Sequence, residues 1–230
     1  MSLTTYTKEY FKFMRCNICG GEELHLIEIK NKGGLKKYYQ CKKCEFIFID
    51  RDHIISLEDE GKRYKIHNNE ISDPSYRSYF KKFIDYIEDN LDKKYSILDY
   101  GSGPQPVLAD VMKENGYDVD IYDKFFYNKK EYLDKKYDVI ISTEVFEHIY
   151  EPRETIETLL SILNKDGKLI LMTGFSPITH EEFKRWWYVK DPTHVVFYNK
   201  KTFETISKKY NLKIIKDNGK NIVVFQRRIT

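Results

Sequence analysis

Long apolar runs are missing from this 230-residue chain; no stretch approaches the ~18 consecutive apolar residues that a membrane helix needs. No membrane partner is therefore expected. A strong charge of one sign is missing too. Lys and Arg number 39 against 36 Asp and Glu, a formal net charge of +3. Nucleic-acid surfaces usually carry a marked basic excess, so RNA is not the favoured partner. The first residues lack the apolar stretch of an export signal, which makes the cytoplasm the expected compartment. Proline is sparse at six residues, and neither an internal repeat nor a low-complexity tract occurs. What remains is 41% hydrophobic residues with 19 Tyr and 14 Phe, enough for one medium domain and a small appendage.

Cysteine is equally scarce, at four residues, and all four fall into two pairs. Cys16-x-x-Cys19 and Cys41-x-x-Cys44 are separated by 21 residues. In a reducing compartment such thiols stay free or hold metal. Each pair can fill two corners of a tetrahedron, so the spacing predicts a structural zinc ribbon over residues 14–50. Its strands are expected at Leu24–Ile29 and Lys36–Gln40. A polar linker or lid over 51–72 follows, and the remaining domain covers 73–230.

That domain opens at Asp73-Pro74, an N-cap and a first-turn proline. Tyr79, Phe80, Phe83, Ile84 and Ile87 then recur at helical spacing. Strands are expected at Ser96–Tyr100, Asp118–Tyr122, Tyr137–Ser142 and Lys168–Met172, with helices near Gln105–Asn115 and Arg153–Leu163. This alternation predicts an α/β, Rossmann-like doubly wound sheet, mostly parallel and covered by helices. The tail reads as helix Lys201–Tyr210, then strands Leu212–Lys216 and Asn221–Arg227, joined by a tight turn that makes them antiparallel.

The stretch Asp99-Tyr100-Gly101-Ser102-Gly103-Pro104-Gln105-Pro106 ends a strand in an acid, and its glycines let the backbone turn and approach a ligand. The next strand also ends in an acid, Asp123, placed to accept hydrogen bonds from a ribose diol. A dehydrogenase would want a third glycine where Pro106 stands.

Asp99–Gly103 resembles the first motif of class I S-adenosylmethionine-dependent methyltransferases. Tyr137–Ile149, with its Glu-Val-Phe-Glu-His run, resembles their fourth-strand motif. Asn164–Leu169 resembles the turn before their fifth strand. Within the family the Glu-Val-Phe-Glu-His run and the ribbon are most similar to small-molecule methylases of the benzoquinol type. The resemblance implies a seven-stranded sheet with an antiparallel last hairpin and S-adenosylmethionine as cofactor. It also implies contacts from Asp99, Gly101, Ser102, Gly103, Asp123, Thr143 and Glu144. The third strand of such a sheet is not evident in the short segment 124–136.

Three segments offer groups for removing a proton from a methyl acceptor. His194 with Asp191, in Asp-Pro-Thr-His after Trp186-Trp187-Tyr188, reads as a general base with its orienting carboxylate, or as an aromatic packing cluster with a turn. His67, in Arg-Tyr-Lys-Ile-His-Asn-Asn, is a reserve base in a lid or a residue of a hydrated linker. Glu144, Glu147 and His148 could hold a divalent cation, or serve at a helix start. The expected acceptor is a small molecule with a hydroxyl group. Ribosomal or transfer RNA docked by the ribbon is one alternative, and a catalytically idle binding module is another.

Overall fold

A computed structural model describes residues 14–31, 34–66 and 73–228. His67 and the leader before Met14 lie outside the described residues. Strands β1 (Leu24–Asn31), β2 (Gly34–Cys41) and β3 (Ile47–Ile49) form an antiparallel run. Helix α1 (Leu57–Ile66) follows, where the sequence suggests an irregular polar linker or lid. The correction has a local cause. Ser56 caps the helix, its Oγ accepting the Asp59 amide at 3.1 Å while donating to the Asp59 carboxylate at 2.7 Å.

Helix α2 (Pro74–Ile87) starts as the sequence predicts, with the Asp73 carboxylate accepting the Ser75 amide at 2.8 Å. The chain then alternates through β4 (Ser96–Tyr100), α3 (Val107–Glu114), β5 (Asp118–Tyr122), β6 (Tyr137–Thr143), α4 (Pro152–Ile162) and β7 (Leu163–Met172). A short helix α5 (His180–Arg185), a two-residue strand β8 (Val196–Phe197), α6 (Lys200–Lys209), β9 (Leu212–Asp217) and β10 (Ile222–Arg227) complete it.

The main sheet has order β5-β4-β6-β7-β10-β9. β4, β5, β6 and β7 are parallel, and β10 runs antiparallel to both of its neighbours. Six strands are present among the described residues, not seven. The segment after Asp123 is too short for another strand and crossover; it forms a 3-10 turn at Lys130–Asp134 instead. The chain moves from β4 to β5 on one side and then to β6 on the other, so a topological switch lies at the carboxyl end of β4. None of the described helices is long and apolar enough to cross a membrane.

Strand periodicity splits the core in two. Ile97, Val139, Ile141, Ile170 and Val224 face one side, against Phe80, Phe83 and Ile87 of α2 and Val111 and Met112 of α3. Their neighbours Leu98, Ile140, Leu169, Leu171, Val223 and Phe225 face the other, against Leu159 of α4 and Phe203 and Ile206 of α6. The cysteine-bearing hairpin belongs to this second core: Ile18, Tyr38, Phe46 and Phe48 are buried in it. β3 pairs with β8, Phe48 opposite Val196, so a strand of the α/β domain completes the small sheet.

A shared core predicts shared melting. Calorimetry should show one unfolding transition for hairpin and sheet together. Phe197→Ala, which hollows the junction where Phe197 is fully buried, should lower stability by about 3–5 kcal/mol. Two separated transitions would contradict the shared core.

Candidate active site

A cavity of about 750 Å³ opens at the switch point, over the carboxyl ends of β4, β5 and β6. Asp99, Gly101, Ser102, Gly103, Asp123, Thr143, Glu144, Asp191 and His194 all line it. Every sequence-predicted site residue outside the cysteine pairs, except His67, is thus gathered in one place.

Its first wall is the loop after β4. Gly101 and Gly103 have φ of 88° and 71°, a region that glycine enters without strain. A side chain on Gly101 would also strike Val145, whose Cγ1 would lie 2.9 Å from its Cβ. The amides of Gly101 and Ser102 donate to Tyr122 O at 2.7 and 3.1 Å, which fixes the loop against β5. The Asp123 carboxylate accepts the Gly103 amide at 3.0 Å and the Phe125 and Phe126 amides at 2.8 and 3.2 Å. Asp99 is buried beneath this loop, and its Oδ1, like Ser102 Oγ, has no partner among the described residues. Burial, with the Asp123 charge beside it, pushes Asp99 up to about 7.

The floor follows β6. Glu144 has φ 53°, a strained conformation for a non-glycine residue, of a kind that clusters at functional sites. Tyr79 and Tyr188 hydroxyls donate to its carboxylate at 3.2 and 2.9 Å. Burial, reinforced by the neighbouring Glu147, pushes Glu144 up to about 8. Glu147 is fully buried, and neither oxygen has a hydrogen-bond partner among the described residues. Burial raises it as well.

The third wall holds two imidazoles. His194 Nδ1 donates to Tyr188 O at 2.8 Å, and His148 Nδ1 donates to Thr193 O at 3.0 Å. A carbonyl only accepts, so each ring keeps its Nε2 lone pair free. The rings pack edge to face, with centroids 4.8 Å apart. Burial pushes both down to about 4, so both are neutral at physiological pH.

Two expectations are corrected here. Asp191 does not orient the His194 ring; a backbone carbonyl does. Its carboxylate accepts two bonds from Arg63 at 3.1 Å, and the Thr193 amide and hydroxyl at 3.0 and 2.7 Å. Burial raises Asp191, but these bonds outweigh it and hold it well below the usual range. The second correction concerns a cation. The cavity's grouped metal-type ligands are Glu147, His148 and His194, whose ligand atoms lie within 4.8 Å of one another. His194 takes the place expected for Glu144, which the two tyrosine hydroxyls hold.

The sequence reading offers a lid in 51–72 but does not name the residues that form the cover. Glu60 and Tyr64 of α1 both line it. Lys124 reaches both Glu60 oxygens at 3.0 Å, and the Tyr64 ring stands edge-on to His148 at 5.4 Å. Their spacing of four on one helix face, after the Ser56-x-x-Asp59 cap, was the available signal.

The four cysteines lie apart from this cavity. Sγ atoms of Cys16 and Cys44 are 3.4 Å apart and those of Cys19 and Cys41 3.5 Å, and all four sulfurs lie within 4.8 Å. A disulfide needs ~2.05 Å, whereas a ZnS₄ tetrahedron with Zn–S of about 2.3 Å has edges of about 3.8 Å. The Ile18 and Gly21 amides point at Cys16 and Cys19 sulfurs, each at 3.4 Å. Hydrogen bonds from Cys16 and Cys44 pull the Cys41 thiol far down. The donor set therefore fits a tetrahedral cation.

A glycine turn after β4, an acid closing β5 and a cavity at the switch point define a nucleotide-type cofactor domain of the class I methyltransferase kind. The methyltransferase-domain family matches residues 74–217, more than half of the chain. The chain belongs to that family, the S-adenosylmethionine-dependent methyltransferases. No curated protein matches it. Among solved structures, it is similar to a protein from Bacillus halodurans C-125 provisionally described as a methyltransferase. Identity is 10%, over 67% of this chain and 100% of that one, with a TM-score of 0.46. It is also similar to the plantazolicin methyltransferase BpumL, in complex with a triazolic desmethylPZN analog and SAH, at 14% identity over 75% and 91% of the two chains and a TM-score of 0.46. OxaC in complex with SAH and oxaline shares 9% identity and a TM-score of 0.45. The match covers 76% of this chain and about half of OxaC (54%).

The buried charges set a pH dependence. Glu144 ionises near 4.5 in the unfolded chain but only near 8 when folded, so stability falls as pH rises through that window. The imidazoles act oppositely. The unfolded chain protonates them below 6.5 and the folded chain only near 4, so stability also falls as pH drops from 6.5 to 4. Asp99 and Glu147 add to the Glu144 slope and offset the imidazoles below pH 6.5. Thermal melts of the unliganded protein should therefore lose stability chiefly from about pH 6.5 to 8, and Glu144→Gln should flatten that alkaline side. An unchanged alkaline slope would show that this carboxyl is not held protonated. Gly101→Ala should cost at least about 2 kcal/mol, through both φ and the Val145 clash.

Proposed function

We propose that the chain methylates a hydroxyl group of a small molecule in this cavity, with His194 taking the proton. The observation carrying the reading is that one cavity joins the glycine loop and Asp123 to a neutral imidazole with a free Nε2. S-adenosylmethionine, when bound, supplies an electrophilic methyl group. Gly101, Ser102 and Gly103 let the backbone approach its methionine end, with Asp99 beneath them. Asp123 accepts the ribose hydroxyls, and Thr143 and Glu144 face the cofactor from β6.

The acceptor side is lined by Tyr64, Trp187, Tyr188 and His194. Trp187 is 70% exposed and Leu57 71%, an apolar rim that suits an acceptor with an aromatic or aliphatic body. Tyr188 O holds His194 in the tautomer that accepts at Nε2, and α1 covers the reacting centre from water. Asp191 positions the cover through Arg63. Cys16, Cys19, Cys41 and Cys44 hold a structural zinc ion.

A second reading rests on the Glu147–His148–His194 group. Neutral His148 and His194 with the carboxyl of Glu147 would hold a divalent cation there, and the chemistry it would supply is acidification of the acceptor hydroxyl. His194 is then a ligand and not the base.

Transfer of a radiolabelled methyl group to a panel of phenols and catechols tests the proposal. His194→Gln should lower kcat by about 10²–10⁴-fold and leave the affinity for S-adenosylhomocysteine unchanged. Retention of the wild-type rate would remove His194 from the chemistry. Mn²⁺ added to the zinc-loaded protein should leave the rate unchanged under the first reading. A rise, with a bound-manganese resonance lost in His148→Gln, would favour the second.

A further inference from the structure

The hydrogen bonds around Val195 join the cysteine hairpin to the acceptor side of the cavity. The Ile49 amide at the end of β3 donates to Val195 O at 2.8 Å, and the Val195 amide donates to Glu147 O at 2.8 Å. Val195 sits between His194 and the β8 residue Val196, which pairs with Phe48. His148 is tied in as well, through Thr193 O. The strand that leaves the cysteine unit thus forms one ladder with the segment carrying His194 and the turn carrying Glu147 and His148. Just beyond β3, Ile54 and Ile55 themselves line the cavity.

The second cysteine knuckle makes further ties to the same segment. Thr202 Oγ1 donates to Cys44 O at 2.9 Å. Glu45, in the left-handed region at φ 61°, accepts from Asn199 Nδ2 at 2.9 Å and Lys201 Nζ at 3.0 Å. The cofactor side is built differently. Its loop bonds run from Gly101, Ser102 and Gly103 to Tyr122 and Asp123, all within β4, β5 and the turns after them.

Resting on the zinc reading of the four cysteines, we propose that the ribbon is the outer support of the acceptor half of the active site. Metal binding fixes β3, β3 fixes Val195, and Val195 sets the positions of His194 and of the Glu147–His148 turn. The cofactor half keeps its shape without the metal. This arrangement also gives the β3 edge to β8 and so takes it away from any docking partner.

The test uses the full chain, with its zinc content measured first and then again after chelation. Of the chain's two tryptophans, Trp187 lines the cavity and Trp186 packs on Tyr188 with ring centroids 4.8 Å apart, so both report on the acceptor wall by fluorescence. On zinc removal, amide exchange in residues 191–198 should quicken at least tenfold and tryptophan emission should shift to the red. Exchange in 99–127 should change less than threefold, and so should the Kd for S-adenosylhomocysteine. Unchanged protection of 191–198 after the metal has left would overturn the proposal.

Should chelation unfold the whole chain, the variant Glu45→Ala decides, with Thr202 kept because it also closes the capping box of α6 and its loss would loosen that turn by itself. The variant should keep one zinc per chain yet exchange faster over 195–202; unaltered exchange there overturns the proposal. A purified chain holding no zinc would overturn the reading of the cysteines and the proposal with it. A zinc-bound chain with an indifferent acceptor segment overturns the proposal alone.

Discussion

The antiparallel pairing of Phe48 with Val196 is the contact on which the rest of the molecule depends. A hairpin this short, even with Tyr38, Phe46 and Phe48, cannot bury enough surface to fold by itself. By pairing with β8 it places Phe46 against Tyr198 and Phe48 against Phe46 and Tyr150, and joins the core on one face of the main sheet. That face would otherwise expose Phe197, Tyr198 and Phe203, all now buried. The same pairing holds the segment that carries His194. Stability and site geometry therefore share one ladder of hydrogen bonds.

The cavity floor carries the cost of this arrangement. Asp99, Glu144 and Glu147 are carboxyl groups drawn out of water, and two imidazoles beside them are kept neutral. Burying an unpartnered charge is expensive, so the groups shift toward their neutral forms. Perturbed groups of this kind concentrate where chemistry is done. Glu144, strained in its backbone and held by two tyrosine hydroxyls, has both marks. Polar contacts on the outside are ordinary by comparison. Lys42, which an RNA-docking ribbon would present, is paired with Glu23 at 3.5 Å.

Where periodicity was strong, the sequence sufficed. Ser96–Tyr100 stands as read because an apolar run that reaches an acid and is followed by glycine leaves little choice. Asp118–Tyr122 stands as read because Val119 and Ile121 alternate with polar residues. Asp73-Pro74 caps α2 as expected. The gathering of Asp99, Gly101, Asp123 and Glu144 followed from chain order in an alternating α/β pattern. The failures are all tertiary in origin. β3 and β8 are too short to show a period and exist because they pair with each other. Helix α1 is polar and faces a cavity rather than a core, so hydrophobic spacing could not reveal it. The partner of His194 was wrong because a nearby carboxylate in sequence was preferred to a carbonyl six residues back. A seventh strand was implied by resemblance, and the short segment after Asp123 does not supply it.

Calorimetric titration of the zinc-loaded chain with S-adenosylhomocysteine, beside the Asp123→Ala variant, reaches the central claim most directly. Micromolar binding to the wild-type chain is expected. It should weaken about ten- to a hundredfold in the variant, since a carboxylate that accepts ribose hydroxyls is worth about 1.5–3 kcal/mol. No binding to the folded wild-type protein, or equal binding to both, would contradict the account.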